Sequence, residues 1–339
     1  MTEFDSNAPT TINLLTGFLG SGKTTLLQRL LHDPELAGAA VLINEFGEVG
    51  LDHHLLDRID SNVVLMKSGC LCCTVRGEIA DALLNLHSLR TRGEVPWFHR
   101  IIIETTGLAD PYPVLSTIRA HPVLRSHFSA GNVVATLDAV NGHAQLATRQ
   151  EALHQVAAAD SIILTKTDLA TADAVNDLKA MVRAINPTAT VLDAATAGAG
   201  IIVDLSLAPE RLLPAEFLSG SQGGISAHTQ SVQSFSIVTD REIDWTVFGI
   251  WLTMLLHKHG DKVLRVKGIL NIGEAKPVAV HGVQRLVHPP VHMSGWPDGD
   301  RRSKLVFIMQ DLDPALVRRS FEVFHAGSRA SEMQAVAIG

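Results

Sequence analysis

Eight consecutive residues, Gly17, Phe18, Leu19, Gly20, Ser21, Gly22, Lys23 and Thr24, fit the pattern GxxxxGK[ST]. Glycines at 17, 20 and 22 free the backbone to curl its N–H groups around a phosphate. Lys23 can reach the terminal phosphates of a nucleoside triphosphate, and the Thr24 hydroxyl can bind Mg²⁺. The stretch follows a short apolar run and opens a helical one beginning Thr25, Leu26, Leu27, so the positive end of a helix adds to the loop. A glycine-rich turn that matches by chance is the alternative, and these flanks speak against it. The expected nucleotide contacts are Gly17, Gly20, Ser21, Gly22, Lys23, Thr24 and Thr25.

A second group lies at the end of Ile101, Ile102, Ile103, where Glu104 is followed by Thr105, Thr106 and Gly107. A carboxylate at the tip of a buried strand is costly unless paired or metal-linked, so Glu104 is expected beside Mg²⁺ and the Gly107 backbone at the γ-phosphate. The run Ile162 to Asp168 approximates the NKxD guanine motif, with Thr165 in place of Asn before Lys166 and Asp168. Asp168 can accept hydrogen bonds from the guanine ring N–H and exocyclic amine, a pattern adenine does not offer. The Thr at 165 leaves guanine expected but not fixed.

The three cysteines of the chain, Cys70, Cys72 and Cys73, fall within four positions, with no distant partner for a disulfide framework. Their thiolates can supply up to three of the four ligands Zn²⁺ prefers, leaving a place for an exchangeable group. A vicinal redox pair at Cys72 and Cys73, or inert buried thiols, are the other readings. Between strand and cysteines lie Asn44, Glu45, Phe46, Gly47, Glu48, Val49, Gly50, Leu51, Asp52, His53 and His54. This segment is either a nucleotide-sensing switch with extra metal ligands or a solvated loop with exposed histidines. His281, His288 and His292 read as structural or surface residues.

The elements that must position these residues follow from apolar periodicity. Strands are expected at Ile12 to Thr16, Ala40 to Asn44, Val63 to Met66, Ile101 to Glu104, Val133 to Asp138, Ile162 to Thr165 and Thr190 to Asp193. Helical spacing marks Lys23 to Leu31, Glu78 to Leu89, Gln145 to Ala158 and Ala174 to Ile185. Most of these strands are apolar throughout, as in a parallel sheet covered on both faces. The fold class is therefore α/β, a phosphate-loop domain with a mainly parallel sheet over residues 10–217. A Gly/Ser-rich linker follows at 218–230, then a smaller α+β domain at 231–330. In that domain strands are expected at Ser234 to Val238, Lys262 to Ile272, Val278 to Val287 and Leu305 to Met309, with helices at Trp245 to Lys258 and Pro314 to Phe324.

With 339 residues, 46% hydrophobic and 19% charged, two globular domains are expected. A formal charge of −7 offers no basic surface for nucleic acid or anionic lipid. No apolar run approaches the ~20 residues that span a bilayer, and the start MTEFDSNAPT is unlike a signal peptide, so a cytoplasmic location is expected.

Taken together, GFLGSGKTT, NEFGEVGLD, GCLCC, ETTGLADP and TKTDL, in this order and spacing, resemble the CobW-type metallochaperone GTPases, relatives of HypB and UreG. Leu264 to Ile272 (LRVKGILNI) and Gly282 to Leu286 (GVQRL) are similar to that family's second domain, so the resemblance runs from Ile12 to Phe324. It implies Mg²⁺-dependent hydrolysis of GTP to GDP, coupled to delivery of Zn²⁺ or Co²⁺ to an apo-metalloprotein client. It places the metal motif on Cys70, Cys72 and Cys73, the switch on Asn44 to Asp52, the Mg²⁺-side acid on Glu104 and base reading on Thr165, Lys166 and Asp168. Glu48 and Asp52 are the candidates for orienting the attacking water, the second domain is expected to dock the client, and a homodimer is left open. Two departures stand out. Ile43 precedes Asn44 where some relatives carry an acid, and the chain lacks a His-rich tract, which argues against metal storage. A small-molecule kinase and a thiol-redox regulator are the rival functions.

Overall fold

The computed structural model describes residues 9–43, 64–67, 75–203, 232–297 and 299–336. The first part alternates strands and helices: β1 (Thr10–Gly17), α1 (Lys23–Leu31), β2 (Ala39–Ile43), β3 (Val64–Lys67), α2 (Val75–Thr91), β4 (Arg100–Glu104), α3 (Pro111–Ala120), α4 (Pro122–His127) and β5 (Phe128–Asp138). It continues through α5 (Gly142–Thr148), α6 (Gln150–Ala158), β6 (Ser161–Thr165), α7 (Ala172–Ile185), β7 (Thr190–Asp193) and α8 (Gly200–Val203). The seven strands form one sheet in the order β3-β2-β4-β1-β5-β6-β7, and every ladder is parallel. Strands β4 and β6 are buried along their whole length, which is why they read as unbroken apolar runs. All carboxyl ends share one edge. There β1 sits between β4 and β5, at the point where connections diverge to the two halves of the sheet, the usual place for a ligand crevice.

Three sequence expectations in this part are corrected. The run Gln145 to Ala158 is two helices, α5 and α6, because Arg149 takes an extended conformation (φ −119°, ψ 116°) between them. Helices α3 and α4 were not anticipated, since each opens on a proline, Pro111 and Pro122, and proline reads as a breaker. At the first helical position it costs nothing, for its missing N–H would have had no partner there.

The second part comprises β8 (Val232–Thr239), α9 (Trp245–His259), β9 (Val263–Leu270), β10 (Val278–Val283), β11 (Leu286–Val287), β12 (Val291–His292), β13 (Ser303–Gln310) and α10 (Pro314–Val336). Its sheet is antiparallel, in the order β11-β10-β9-β13-β8 with β12 paired to β10. The expected single strand Val278 to Val287 is a hairpin, β10 and β11, turned at Gln284 with φ +49°. Its aliphatic core encloses an aromatic cluster: Trp251 packs edge-on to Phe307 and Phe321 with ring centres 6.1 and 5.1 Å away, and Phe235 stacks on Phe307 at 5.3 Å. The indole N–H of Trp251 donates to Ser320 Oγ at 3.0 Å, so the one polar atom of the ring is satisfied.

By contacts the chain divides into two compact units, the first reaching Lys179 and resuming from Ala189 to Ser206, the second taking Ala180–Thr188 and Leu207 onward. The expected linker at 218–230 lies outside the described residues. No helix among the described residues is long and apolar enough to cross a membrane.

Candidate nucleotide site

Strand β1 delivers the chain into the phosphate loop at Gly17, whose φ of +142° favours glycine. A Cβ there would collide with Thr136 and lie 2.7 Å from Ser21 Oγ. The loop turns back through a Ser21 N–H to Phe18 carbonyl bond of 3.1 Å, and Gly22 (φ +83°) starts α1 in the left-handed region. Helix α1 has no side-chain cap and no acid of its own in its first turn, so its N-terminal end is left to the phosphate loop. The Lys23 ammonium donates to the Gly17 carbonyl at 2.9 Å and to that of Phe18 at 3.2 Å, curled over the loop it would share with a phosphate. Thr25 is exposed on the first turn of α1.

Beneath the loop lies a floor of hydroxyls. Ser21 Oγ and Thr136 Oγ1 are 2.6 Å apart, and Thr136 Oγ1 also donates to the Thr16 carbonyl at 3.3 Å. Thr105 Oγ1 donates to Thr16 Oγ1 at 2.9 Å, and Thr165 Oγ1 donates to the Ser21 carbonyl at 2.8 Å. All five side chains are buried. The Ser21 hydroxyl therefore faces the sheet, and Thr165, expected at the base, fastens β6 to the phosphate loop. Thr16, Thr105 and Thr136 were not singled out from the sequence; threonines at the carboxyl ends of buried strands were the available signal.

The Thr24 hydroxyl donates to Glu104 Oε1 at 2.6 Å, and the Glu104 side chain is buried at the end of β4. A hydroxyl and a carboxylate meeting at a helix N-terminus are the hard oxygen donors that Mg²⁺ takes alongside phosphate and water, so these two residues fit the ion. The turn after Glu104 presses on the loop from the other side: a Cβ on Gly107 would lie 2.6 Å from the Leu19 nitrogen.

On the base side, Lys166 adopts φ +56° and its ammonium donates to Asp138 Oδ2 at 2.7 Å. Asp138 also accepts from the Val140 N–H at 2.8 Å and from Asn141 Nδ2 at 2.9 Å. Burial pushes the Asp138 carboxyl up, but the bonds from Lys166, Asn141 and Val140 outweigh it and hold the group below its ordinary value. The sequence marked Asp138 only as a strand end. Asp168 is exposed on the turn Thr167–Leu169 that follows β6.

Cys70, Cys72, Cys73, Glu48, Asp52, His53 and His54 lie outside the described residues. Among the described residues no group of three or more His, Cys, Asp or Glu is placed to hold a metal. His281 and His288 stack with ring centres 4.0 Å apart, and His292 lies 3.6 Å from Glu274, in keeping with structural and surface roles.

Residues 11–193 match the model of the CobW/HypB/UreG nucleotide-binding domain. The chain belongs to that family. Residues 232–325 match the cobalamin synthesis protein cobW C-terminal domain, so the family's second domain is present as well. Among family members, the zinc chaperone YjiA of Escherichia coli is 34% identical over 321 residues, covering 92% of this chain and 98% of the relative. The zinc chaperone CobW of Pseudomonas aeruginosa is 28% identical over 347 residues, 90% of this chain and 89% of the relative. The crystal structure of Zn(II)-bound YjiA GTPase from E. coli superposes with a TM-score of 0.74 at 30% identity, covering 94% of this chain and 99% of that one.

Proposed function

We propose that this chain is a GTP-hydrolysing metallochaperone that holds a transition metal, zinc in the first instance, on Cys70, Cys72 and Cys73 and yields it to a client protein when GTP becomes GDP. The observation that carries the reading is the Thr24–Glu104 contact of 2.6 Å at the head of α1, a ready-made Mg²⁺ seat beside a phosphate loop. The relatives named as zinc chaperones favour zinc over cobalt, although both metals accept the same thiolates.

In this reading Thr24 and Glu104 hold Mg²⁺, which when bound neutralises charge developing on the β- and γ-phosphates. Lys23 exchanges its bonds to the Gly17 and Phe18 carbonyls for phosphate oxygens. Glu48 or Asp52 orients the attacking water. Gly107 meets the γ-phosphate, and with GTP bound the Asn44 to Asp52 segment and the loop carrying Cys70 to Cys73 take a metal-holding arrangement. Loss of the γ-phosphate relaxes these segments, and losing one thiolate ligand is enough to release the ion. The second domain, which carries no nucleotide motif, then meets the client.

Zinc titration in the presence of a non-hydrolysable GTP analogue and of GDP tests the coupling: tighter binding with the analogue is expected, and equal affinity in both states would sink it. Replacing both Cys72→Ser and Cys73→Ser should abolish tight zinc binding and leave nucleotide affinity within about threefold, since the phosphate loop is built from other residues. Turnover that needs no phosphate acceptor beyond water excludes a kinase.

A further inference from the structure

We propose that Gln155, seconded by His154, is a positioning residue that ties the turn at Gly107 to α6 and so sets how strongly the site distinguishes GTP from GDP. The inference rests on the nucleotide reading above. Gln155 is 1% exposed, and its Nε2 donates to the Gly107 carbonyl at 3.1 Å and to the Ala109 carbonyl at 3.0 Å. Its Oε1 is buried with no hydrogen-bond partner among the described residues. A methionine of similar length would fill the same space without that orphaned acceptor, so packing alone does not account for an amide here.

The next residue supplies a second rung. His154 Nδ1 lies 3.0 Å from Asp110 Oδ2, while Asp110 Oδ1 accepts from the Tyr112 N–H at 2.9 Å and caps α3. The segment 107–110 is thus fastened to α6 on one side and abuts Leu19 of the phosphate loop on the other. The turn cannot shift toward or away from a γ-phosphate without straining both rungs. Helix α6 runs within two residues into β6, whose Thr165 hydroxyl bonds the Ser21 carbonyl, so the γ-phosphate turn and the base-reading end are joined by continuous contacts.

The test measures Mg²⁺-dependent binding of a GTP analogue and of GDP, together with kcat and KM, for the full-length wild type and Gln155→Met. The expected result is an analogue affinity about tenfold weaker with GDP affinity held within about twofold, and kcat falling more than KM rises. A merely structural role would weaken both nucleotides alike, and unchanged discrimination in the variant overturns the proposal. Should Gln155→Met fail to fold, hydrogen exchange of the wild type decides: amides of 107–110 and of α6 should change protection together between analogue and GDP, and α6 amides indifferent to the nucleotide overturn it. Wild-type protein that binds neither guanine nucleotide overturns the nucleotide reading itself, and this inference with it.

Discussion

The floor beneath the phosphate loop and the core of the second unit are both buried, yet they are made of opposite materials. The floor is Thr16, Ser21, Thr105, Thr136 and Thr165, joined hydroxyl to hydroxyl and hydroxyl to carbonyl between 2.6 and 3.3 Å. At the centre of that core, among aliphatic side chains, stand Phe235, Phe248, Trp251, Phe307 and Phe321, with ring centres 5.1 to 6.1 Å apart. A hydrogen bond adds only about 1 kcal/mol net but is directional, so a floor of hydroxyls fixes where each strand end and each loop carbonyl must lie. Aromatic rings bury roughly 150–250 Å² each and tolerate small displacements, so they add stability with less positional precision. The hydroxyl floor fixes loop position and the aromatic cluster adds stability to its own unit, and substitutions should separate the two effects.

The largest expected effect is in the aromatic core. Trp251→Ala removes the ring at its centre and the bond to Ser320, and should destabilise the second unit by about 3–5 kcal/mol in urea unfolding. Nucleotide affinity of the folded protein should be unchanged. A matching loss of nucleotide binding would break the comparison, because it would mean the aromatic core also shapes the loop.

Thr165→Val is the converse. It keeps volume, removes the hydroxyl and strips the Ser21 carbonyl of that bond, at a cost of about 2 kcal/mol. Guanine nucleotide affinity should fall by about tenfold, out of proportion to the modest change in midpoint, since the loop rather than the fold loses its anchor. An unchanged affinity would show that the other hydroxyls hold the loop without Thr165.

The same contrast governs what the sequence made legible. The loop from Gly17 to Thr24, and Glu104 after three isoleucines, stood out because their chemistry is local and unusual. Thr16, Thr105 and Thr136 did not, because a threonine at a strand end looks the same whether it faces solvent or a neighbouring hydroxyl, and only the parallel register brings them together. Gln155 was hidden inside a helical run that the sequence suggested was longer. Asp138 passed as the last residue of a strand, since its partner Lys166 is 28 residues away. The alternation of strand and helix was legible, as were the strand-end positions of the phosphate loop and Glu104; α3 and α4 were masked by prolines that begin helices. The hairpin at Gln284 was masked because its turn, Gln284 and Arg285, interrupts the apolar run for only two residues and carries none of the glycine, asparagine or aspartate that mark a tight hairpin.

The smallest effect expected belongs to that last pair. Asp138 is 1% exposed, and its folded-state pKa lies below the ordinary aspartate value of 3.8 because the bonds from Lys166, Asn141 and Val140 outweigh burial. In the unfolded chain the carboxyl takes up a proton at the ordinary value; in the folded chain it resists until lower pH. The unfolded state therefore binds more protons between the two values, and folding stability falls as pH drops through that window. The contribution is complete above about pH 5 and is lost progressively as pH falls through that window. Urea unfolding between pH 3 and 6 measures it against Lys166→Met, which keeps the stem and removes the ammonium. The variant should lose most stability at pH 6 and progressively less as pH falls below the ordinary aspartate value. If the two curves run parallel across the range, the Asp138–Lys166 contact contributes nothing that protonation removes, and its role is confined to orienting the turn after β6.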